Sequence, residues 1–186
     1  MSQQTWNESL LVSSTDSTAL TASITPTSII PAAGVYTLPA NFFYVSRKIR
    51  IFAHGRITNI VTTPGTLTLD VRLGAVIAAN GGAMALNIVA KTNVPWTLIW
   101  DLTCKTIGSG TSATLTHQGL WRSESVIGSP LPTAGGAGAH MLPNTAPGAG
   151  TGFDSTAAQQ LNLFGTWSLS NANSIQTHQF ELVNLN

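Results

Sequence analysis

The segment from Asn93 to Trp121, NVPWTLIWDLTCKTIGSGTSATLTHQGLW, leaves this chain little choice of fold class. Trp96, Leu98, Trp100, Leu102 and Cys104 fall on one side of a two-residue period, and Thr97, Asp101, Thr103 and Lys105 fall on the other. Successive side chains of a strand point to opposite faces, so this is a strand with one buried side. Ile99 is the apolar exception on the polar side. After Gly108-Ser109-Gly110 the chain resumes with Ala113, Leu115, His117, Gly119 and Trp121 alternating against Ser112, Thr114, Thr116 and Gln118. Two long antiparallel strands joined by a tight turn follow, which belong to an all-β domain.

The same period recurs along the chain. Ile49, Ile51, Ala53, Gly55 and Ile57 alternate with Lys48, Arg50, His54 and Arg56, and Leu67, Leu69, Val71 and Leu73 with Thr66, Thr68, Asp70 and Arg72. Leu161, Leu163, Gly165, Trp167 and Leu169 make a further strand. Asn80-Gly81-Gly82 tolerates positive φ and predicts a hairpin turn, with Met84, Leu86, Ile88 and Ala90 inward on the strand that follows. The last strand, over 175–185, has two inward sets open to it: Gln176, His178, Phe180 and Leu182, or the odd positions ending at Val183 and Leu185. Asp154 is placed to cap one helical turn over Ser155 to Gln159.

Residues 1–33 are polar and irregular, with apolar spots at Leu10-Leu11-Val12 and Ile29-Ile30 and breaks at Pro26 and Pro31, so they are expected to form an extended N-terminal arm with one or two short strands rather than a domain of its own. Gly34 to Leu38 is expected as a short strand. Residues 122–152 are rich in Gly, Ala and Pro without a sustained period and are expected to be one long loop. The expected organisation is therefore an arm, 1–33, followed by one β-sandwich domain, 34–186, carrying loop 122–152. An antiparallel sandwich, a jelly roll of about eight strands, is the architecture this pattern favours.

A chain of 186 residues can bury roughly 70% of its unfolded surface and needs no metal or disulfide to fold. Its surface is unusual. Charged residues make up 8% of the chain, against about 25% in ordinary domains. Ser, Thr, Asn, Gln, Ala and Gly must therefore cover the outside, and a coat with so little charge points to surface that meets a partner in the working state. The formal net charge of +1 offers no basic field for a nucleic-acid backbone. Cys104 is the single cysteine, so no internal disulfide forms, and its place on the apolar side of a strand makes it a small core residue. No run of about 18 apolar residues and no basic-then-apolar start appear, so neither a membrane span nor a secretion signal is expected, and synthesis in a cytoplasm is.

Catalysis finds no foothold in the sequence. His54, His117, His140 and His178 are far apart and none stands in a two-ligand spacing, so no metal site is expected. The seven acidic residues give no pair that one strand would hold within acid–base reach, and no serine sits in a nucleophile elbow. Asp70 and Arg72 are same-face neighbours, expected to form a surface ion pair worth at most ~1 kcal/mol. Trp96, Trp100 and Trp167 fall on apolar sides and read as core. Trp6 and Trp121, at element ends, are the better candidates for an exposed or interface role. With Leu10, Leu11, Val12, Ile29 and Ile30 of the arm and His140 and Met141 of the long loop, they form the expected interface set.

The segments LTLDVRLG, NVPWTLIWDLTCKTIGSGTSATLTHQG and the closing GTGFDSTAAQQLNLFGTWSLSNANSIQTHQFELVNLN resemble virion structural proteins of tailed bacteriophages. The likeness spans residues 66–120 and 150–186 and is one of texture and segment order rather than of a functional motif. It implies a small jelly-roll subunit, commonly trimeric, acting as a head decoration or cement protein that clamps the major capsid protein, with the arm as the clamp. A tail or fibre module that binds host glycans is the alternative it implies. It carries no catalytic residue and no cofactor, and no nucleic-acid or membrane partner is expected.

Overall fold

A computed structural model of the chain describes residues 7–126, 138–143, 145 and 149–186. Twelve strands and one short 3₁₀ turn are found among them: β1 (Glu8–Ser13), β2 (Leu20–Thr21), β3 (Thr27–Ser28), the turn Ala32–Gly34, β4 (Tyr36–Leu38), β5 (Lys48–Asn59), β6 (Thr66–Leu73), β7 (Val76–Ala85), β8 (Lys91–Thr106), β9 (Thr114–Arg122), β10 (Ala139–Leu142), β11 (Gln159–Trp167) and β12 (Ser174–Asn184). They build two antiparallel sheets. Sheet A runs β1-β12-β5-β8-β9-β10, with β2 also on β12; sheet B runs β3-β11-β6-β7, with β4 also on β11. The chain is the all-β sandwich that its alternation predicts.

The core lies between the sheets and is filled by the predicted inward rows. Ile49, Ile51, Ala53, Ile57, Leu67, Leu69, Val71, Leu73, Leu98, Trp100, Leu102, Leu161, Leu163 and Trp167 are at most 1% exposed. Four tryptophans anchor it. Trp96 stacks on Trp121 with ring centroids 4.8 Å apart and 13° between planes. The indole N–H of Trp96 donates to the Arg56 carbonyl at 3.2 Å, and that of Trp167 to the Leu20 carbonyl at 3.2 Å. Truncating a buried indole of this kind to alanine costs about 3–5 kcal/mol.

Four expectations need correction. Residues 8–33 are not an extended arm: β1 and β2 pair with β12, β3 pairs with β11, and Leu20, Ile29 and Ile30 enter the core. Short strands can join a sheet wherever a partner offers free N–H and C=O groups, with no apolar period of their own. The stretch 122–152 is not all loop, because β10 pairs along β9 from Ala139 opposite Arg122 to Leu142 opposite Gly119. Asn80-Gly81-Gly82 lies inside β7 instead of reversing the chain. The β6–β7 turn is at Gly74-Ala75, and Asn80 to Gly82 absorb a register shift between Thr68 opposite Ala83 and Asp70 opposite Asn80. Gly82, at φ 75°, takes the left-handed conformation that such a bulge requires. Finally, no helical turn follows Asp154; its carboxylate instead accepts from the Thr156 N–H at 2.8 Å and the Thr156 hydroxyl at 2.6 Å. These bonds hold its carboxyl below the usual range.

The open question on β12 resolves in both directions. Ile175 and Thr177 face inward, the register shifts between Thr177 and Gln179, and Phe180, Leu182 and Asn184 face inward beyond it. One extra residue in a strand inverts the faces of everything after it. Gly55 sits opposite this bulge, where a Cβ would lie 1.9 Å from the Gln176 carbonyl oxygen.

Candidate interaction surface

Sheet A turns one face to the core and one outward, and the registers line up the outward side chains in rows. One row crosses six strands: Val12 opposite Glu181, Glu181 opposite Phe52, Phe52 opposite Ile99, Ile99 opposite Leu120, and Leu120 opposite Met141. Five of its six members are apolar. Val12 and Met141, at the two ends, are 58% and 49% exposed, while Phe52, Ile99 and Leu120 between them are half-buried by their neighbours. Ile99, Leu120 and Met141, with Asp101, Gln118 and Gly119, line a shallow hollow of about 290 Å³.

The flanks of this row are polar and carry a small net positive charge. On one side Arg50 grips Asp101 with two hydrogen bonds, Nε to Oδ1 at 2.6 Å and Nη2 to Oδ2 at 2.9 Å, and Lys48 Nζ reaches Oδ2 at 2.7 Å. Partial burial would raise the Asp101 carboxyl, but the hydrogen bonds from Arg50 and Lys48 outweigh it and hold the group below the usual carboxylate range. The same hydrogen bond raises Arg50. On the other side stand His54, opposite Thr97, and Arg122, also opposite Thr97. The His54 ring meets the Phe52 ring edge-on at 6.1 Å.

The outward face of sheet B is finished differently. Asp70 and Arg72 pair at 2.6 Å, and the Arg72 guanidinium lies 4.2 Å over the Phe164 ring. Ser28 Oγ donates to Asn162 Oδ1 at 2.8 Å. The Asp70 side chain is only 4% exposed, so this is a buried pair and not the surface pair that two-residue spacing suggested. Half-buried Thr66, Thr68 and Thr166 fill the rest of the face.

The expected interface residues scatter. Val12 and Met141 occupy the ends of the apolar row. Leu10 and Leu11 are half-buried against the core. Ile29, Ile30 and Trp121 are at most 5% exposed and His140 is 8% exposed, so the folded subunit has no surface to offer from them. Trp121 ends up inside because β10 continues the sheet past it and Trp96 covers its ring. Trp6 lies outside the described residues. Phe52 and Leu120 do not stand out in the sequence. Their only signal is the one Ile99 gives, an apolar residue out of phase with its own strand.

Several groups that could do chemistry are tied up or buried. His117 accepts from the Trp100 indole N–H at 3.4 Å, and burial lowers both His117 and His140, keeping them neutral. The Cys104 thiol is buried, which pushes it up. Lys91 pairs with Glu124 at 3.0 Å, and His178 with Asp16 at 2.6 Å. Among the described residues no three His, Cys, Asp or Glu side chains are grouped to hold a metal ion, and no helix is long and apolar enough to cross a membrane.

No family model matches the chain, and no curated protein matches it. Among solved structures it is similar to the CBM2 module of the evolved Dit of Lactobacillus casei BL23 phage J-1, at 10% identity and a TM-score of 0.29, over 82% of this chain and 69% of that one. It is also similar to the kappa-carrageenase from Pseudoalteromonas carrageenovora, at 10% identity and a TM-score of 0.24, over 75% of this chain and 65% of that one. Likenesses this distant carry no argument about function.

Proposed function

We propose that the chain is a non-enzymatic structural subunit of a bacteriophage particle, of the decoration or cement type, that docks on the major capsid protein through the outward face of sheet A. The observation that carries this reading is the apolar row from Val12 to Met141. A sheet face meant for water alternates apolar-in with polar-out, and five apolar residues across six strands break that rule together. The apolar members of the row are non-aromatic apart from Phe52, and Trp96, Trp100, Trp121 and Trp167 are all buried. A largely aliphatic stripe suits a protein surface better than a sugar ring, which binds on exposed indole or phenol faces.

The strand order supports the architecture that goes with this role. Lettering β1, β3/β4, β5, β6, β7, β8, β11 and β12 as B to I gives B-I-D-G in sheet A and C-H-E-F in sheet B, with β9 and β10 inserted between G and H. That order fits a jelly roll, a design in which viral shell proteins abound. The mechanism is mass action: a subunit that binds only the assembled shell stabilises it in proportion to its binding free energy, multiplied over symmetry-related copies.

The test mixes the purified chain with particles lacking it. Co-sedimentation and a raised disassembly temperature are expected, both lost in the double variant Ile99→Asp/Leu120→Asp. Wild-type chain that ignores such particles yet binds a glycan array would replace this reading with the receptor-binding one.

A further inference from the structure

The eight Lys and Arg side chains of the chain are matched unevenly. Lys48 and Arg50 share Asp101, Arg72 pairs with Asp70, and Lys91 pairs with Glu124. The Arg47 guanidinium lies over the Phe42 and Tyr44 rings. Arg56, Lys105 and Arg122 remain, and among the described residues none of the three has a carboxylate within ion-pair reach. The residues outside the described set contain no Asp or Glu.

Two of these three cations border the apolar row of sheet A on one side. Arg122 follows Leu120 by two positions on β9, which sets it about 7 Å from the row, and Arg56 follows Phe52 by four positions on β5, about 13 Å away. Thr97, opposite both His54 and Arg122, and Pro95, opposite Arg56, fill the ground between them. Both arginines are exposed. Arg56 Nε and Nη2 donate to Gln176 Oε1 at 3.0 and 2.7 Å, which aims the guanidinium without cancelling its charge. The carboxylates of the surrounding elements are engaged or stand apart. Glu124, two residues beyond Arg122, holds Lys91 at 3.0 Å, and Asp16 holds His178 at 2.6 Å. Asp101 holds Lys48 and Arg50 on the far flank. Glu181 stands in the row itself, level with Phe52 and three strands from Arg122.

We propose that the occupant of the sheet A face is an acidic strip of the shell protein: an apolar ridge bordered by carboxylates along the side that meets Arg122 and Arg56. This rests on the docking reading above and adds what the partner carries. A guanidinium at the border of an interface gives up water on docking, and a carboxylate set opposite it returns two parallel N–H···O bonds. A basic strip would meet like charge there, and an uncharged one would leave both arginines without a counter-ion. The opposite flank already holds its own carboxylate, Asp101, so the acids are called for on one side of the ridge, and this fixes which way round the partner lies. A polyanion such as a sulfated glycan or a nucleic acid is disfavoured. Its charge runs evenly along its length and it brings no aliphatic surface to Ile99, Leu120 and Met141.

Co-sedimentation of the full chain with particles lacking it, at about 50 mM and about 300 mM salt, tests the proposal. Wild-type binding is expected to weaken about tenfold between the two, and Arg56→Gln with Arg122→Gln to bind about tenfold more weakly at low salt and to lose most of the salt dependence. The thermal midpoint of this double variant is expected to stay at the wild-type value, because both side chains are exposed. Lys105→Gln removes an equally unmatched cation about 20 Å along β8 from Ile99 and is expected to bind as wild type. Wild-type binding that salt leaves unchanged, or a double variant that binds like the wild type, overturns the proposal and leaves the docking reading standing. Equal weakening by Lys105→Gln overturns it in favour of bulk charge. A wild type that ignores the particles at both salt concentrations removes the docking reading and this inference with it, and dextran sulfate binding lost in the double variant would then point to a polyanion instead.

Discussion

The two outward faces of this sandwich draw on similar residues and reach opposite ends. On sheet B an aromatic ring, Phe164, is roofed by Arg72, Arg72 is neutralised by Asp70, and Asn162 is held by Ser28. That face is complete within the subunit. On sheet A the aromatic ring, Phe52, continues into Ile99, Leu120 and Met141, and the neighbouring guanidinium of Arg50 is drawn aside by Asp101. The same Arg–Asp chemistry thus roofs an aromatic ring on one face and stands beside one without covering it on the other. The difference teaches that placement of an ion pair, rather than its presence, decides whether a sheet face is finished.

The sharpest way to break this comparison is to remove the acid from each pair. Asp70→Ala leaves Arg72 unpaired over a largely buried face and is expected to cost about 3 kcal/mol in chemical denaturation. Asp101→Ala, on the partly exposed network with Lys48, is expected to cost no more than about 1 kcal/mol. Equal losses would erase the distinction between the faces.

Next in size is the effect on binding. Ile99→Asp with Leu120→Asp is expected to weaken particle binding about 100-fold while lowering stability by only about 1 kcal/mol, as read by co-sedimentation and thermal melting. A control pair on sheet B, Thr68→Asp with Thr166→Asp, is expected to leave particle binding unchanged.

Acid should separate the sheets as well. Histidines occur in sheet A strands, at His54, His117, His140 and His178, and in none of the sheet B strands. His117 and His140 titrate below the ordinary range because they are buried, so the unfolded chain binds protons that the folded one refuses. Their stabilisation is complete above about pH 6.5 and declines as pH falls below it toward their folded-state values. Protection factors of the backbone amides at pH 5, relative to pH 7, are therefore expected to fall in β9 and β10 before β6 and β11. A fall of equal size in both sheets would contradict this. The smallest expected effect belongs to Met141→Gln at the end of the row, within about 0.5 kcal/mol of wild-type stability, with a few-fold loss of particle binding.

Much of the sandwich can be read from the chain because β5, β6, β8, β9 and β11 keep a nearly unbroken inward row of apolar side chains against an outward phase that is polar apart from Phe52, Ile99, Leu120 and Phe164. What was missed has local causes. The β12 phase could not be chosen because a bulge makes both choices true in different halves. Asn80-Gly81-Gly82 misleads because positive φ serves a mid-strand bulge as well as a turn. β1, β2 and β3 left little trace, since their stabilisation comes from backbone bonds to β11 and β12 at the far end of the chain. The interaction surface is hidden for the same reason. Ile99 betrays itself as an out-of-phase residue, but its alignment with Phe52, Leu120 and Val12 depends on register, which no single strand encodes.

The pairing of Glu8 with Asn184 has a consequence for how the molecule comes into being. β12 is wedged between β1 and β5, so before residues 174–184 have been synthesised both of those strands present bare backbone edges. Closure is dominated by distant partners, which slows it, and the wait is spent with sticky edges open to other nascent chains. A version cut after β11 is thus expected to be no smaller subunit but a gaping half-sheet that precipitates, the final strand serving as the keystone of the wall.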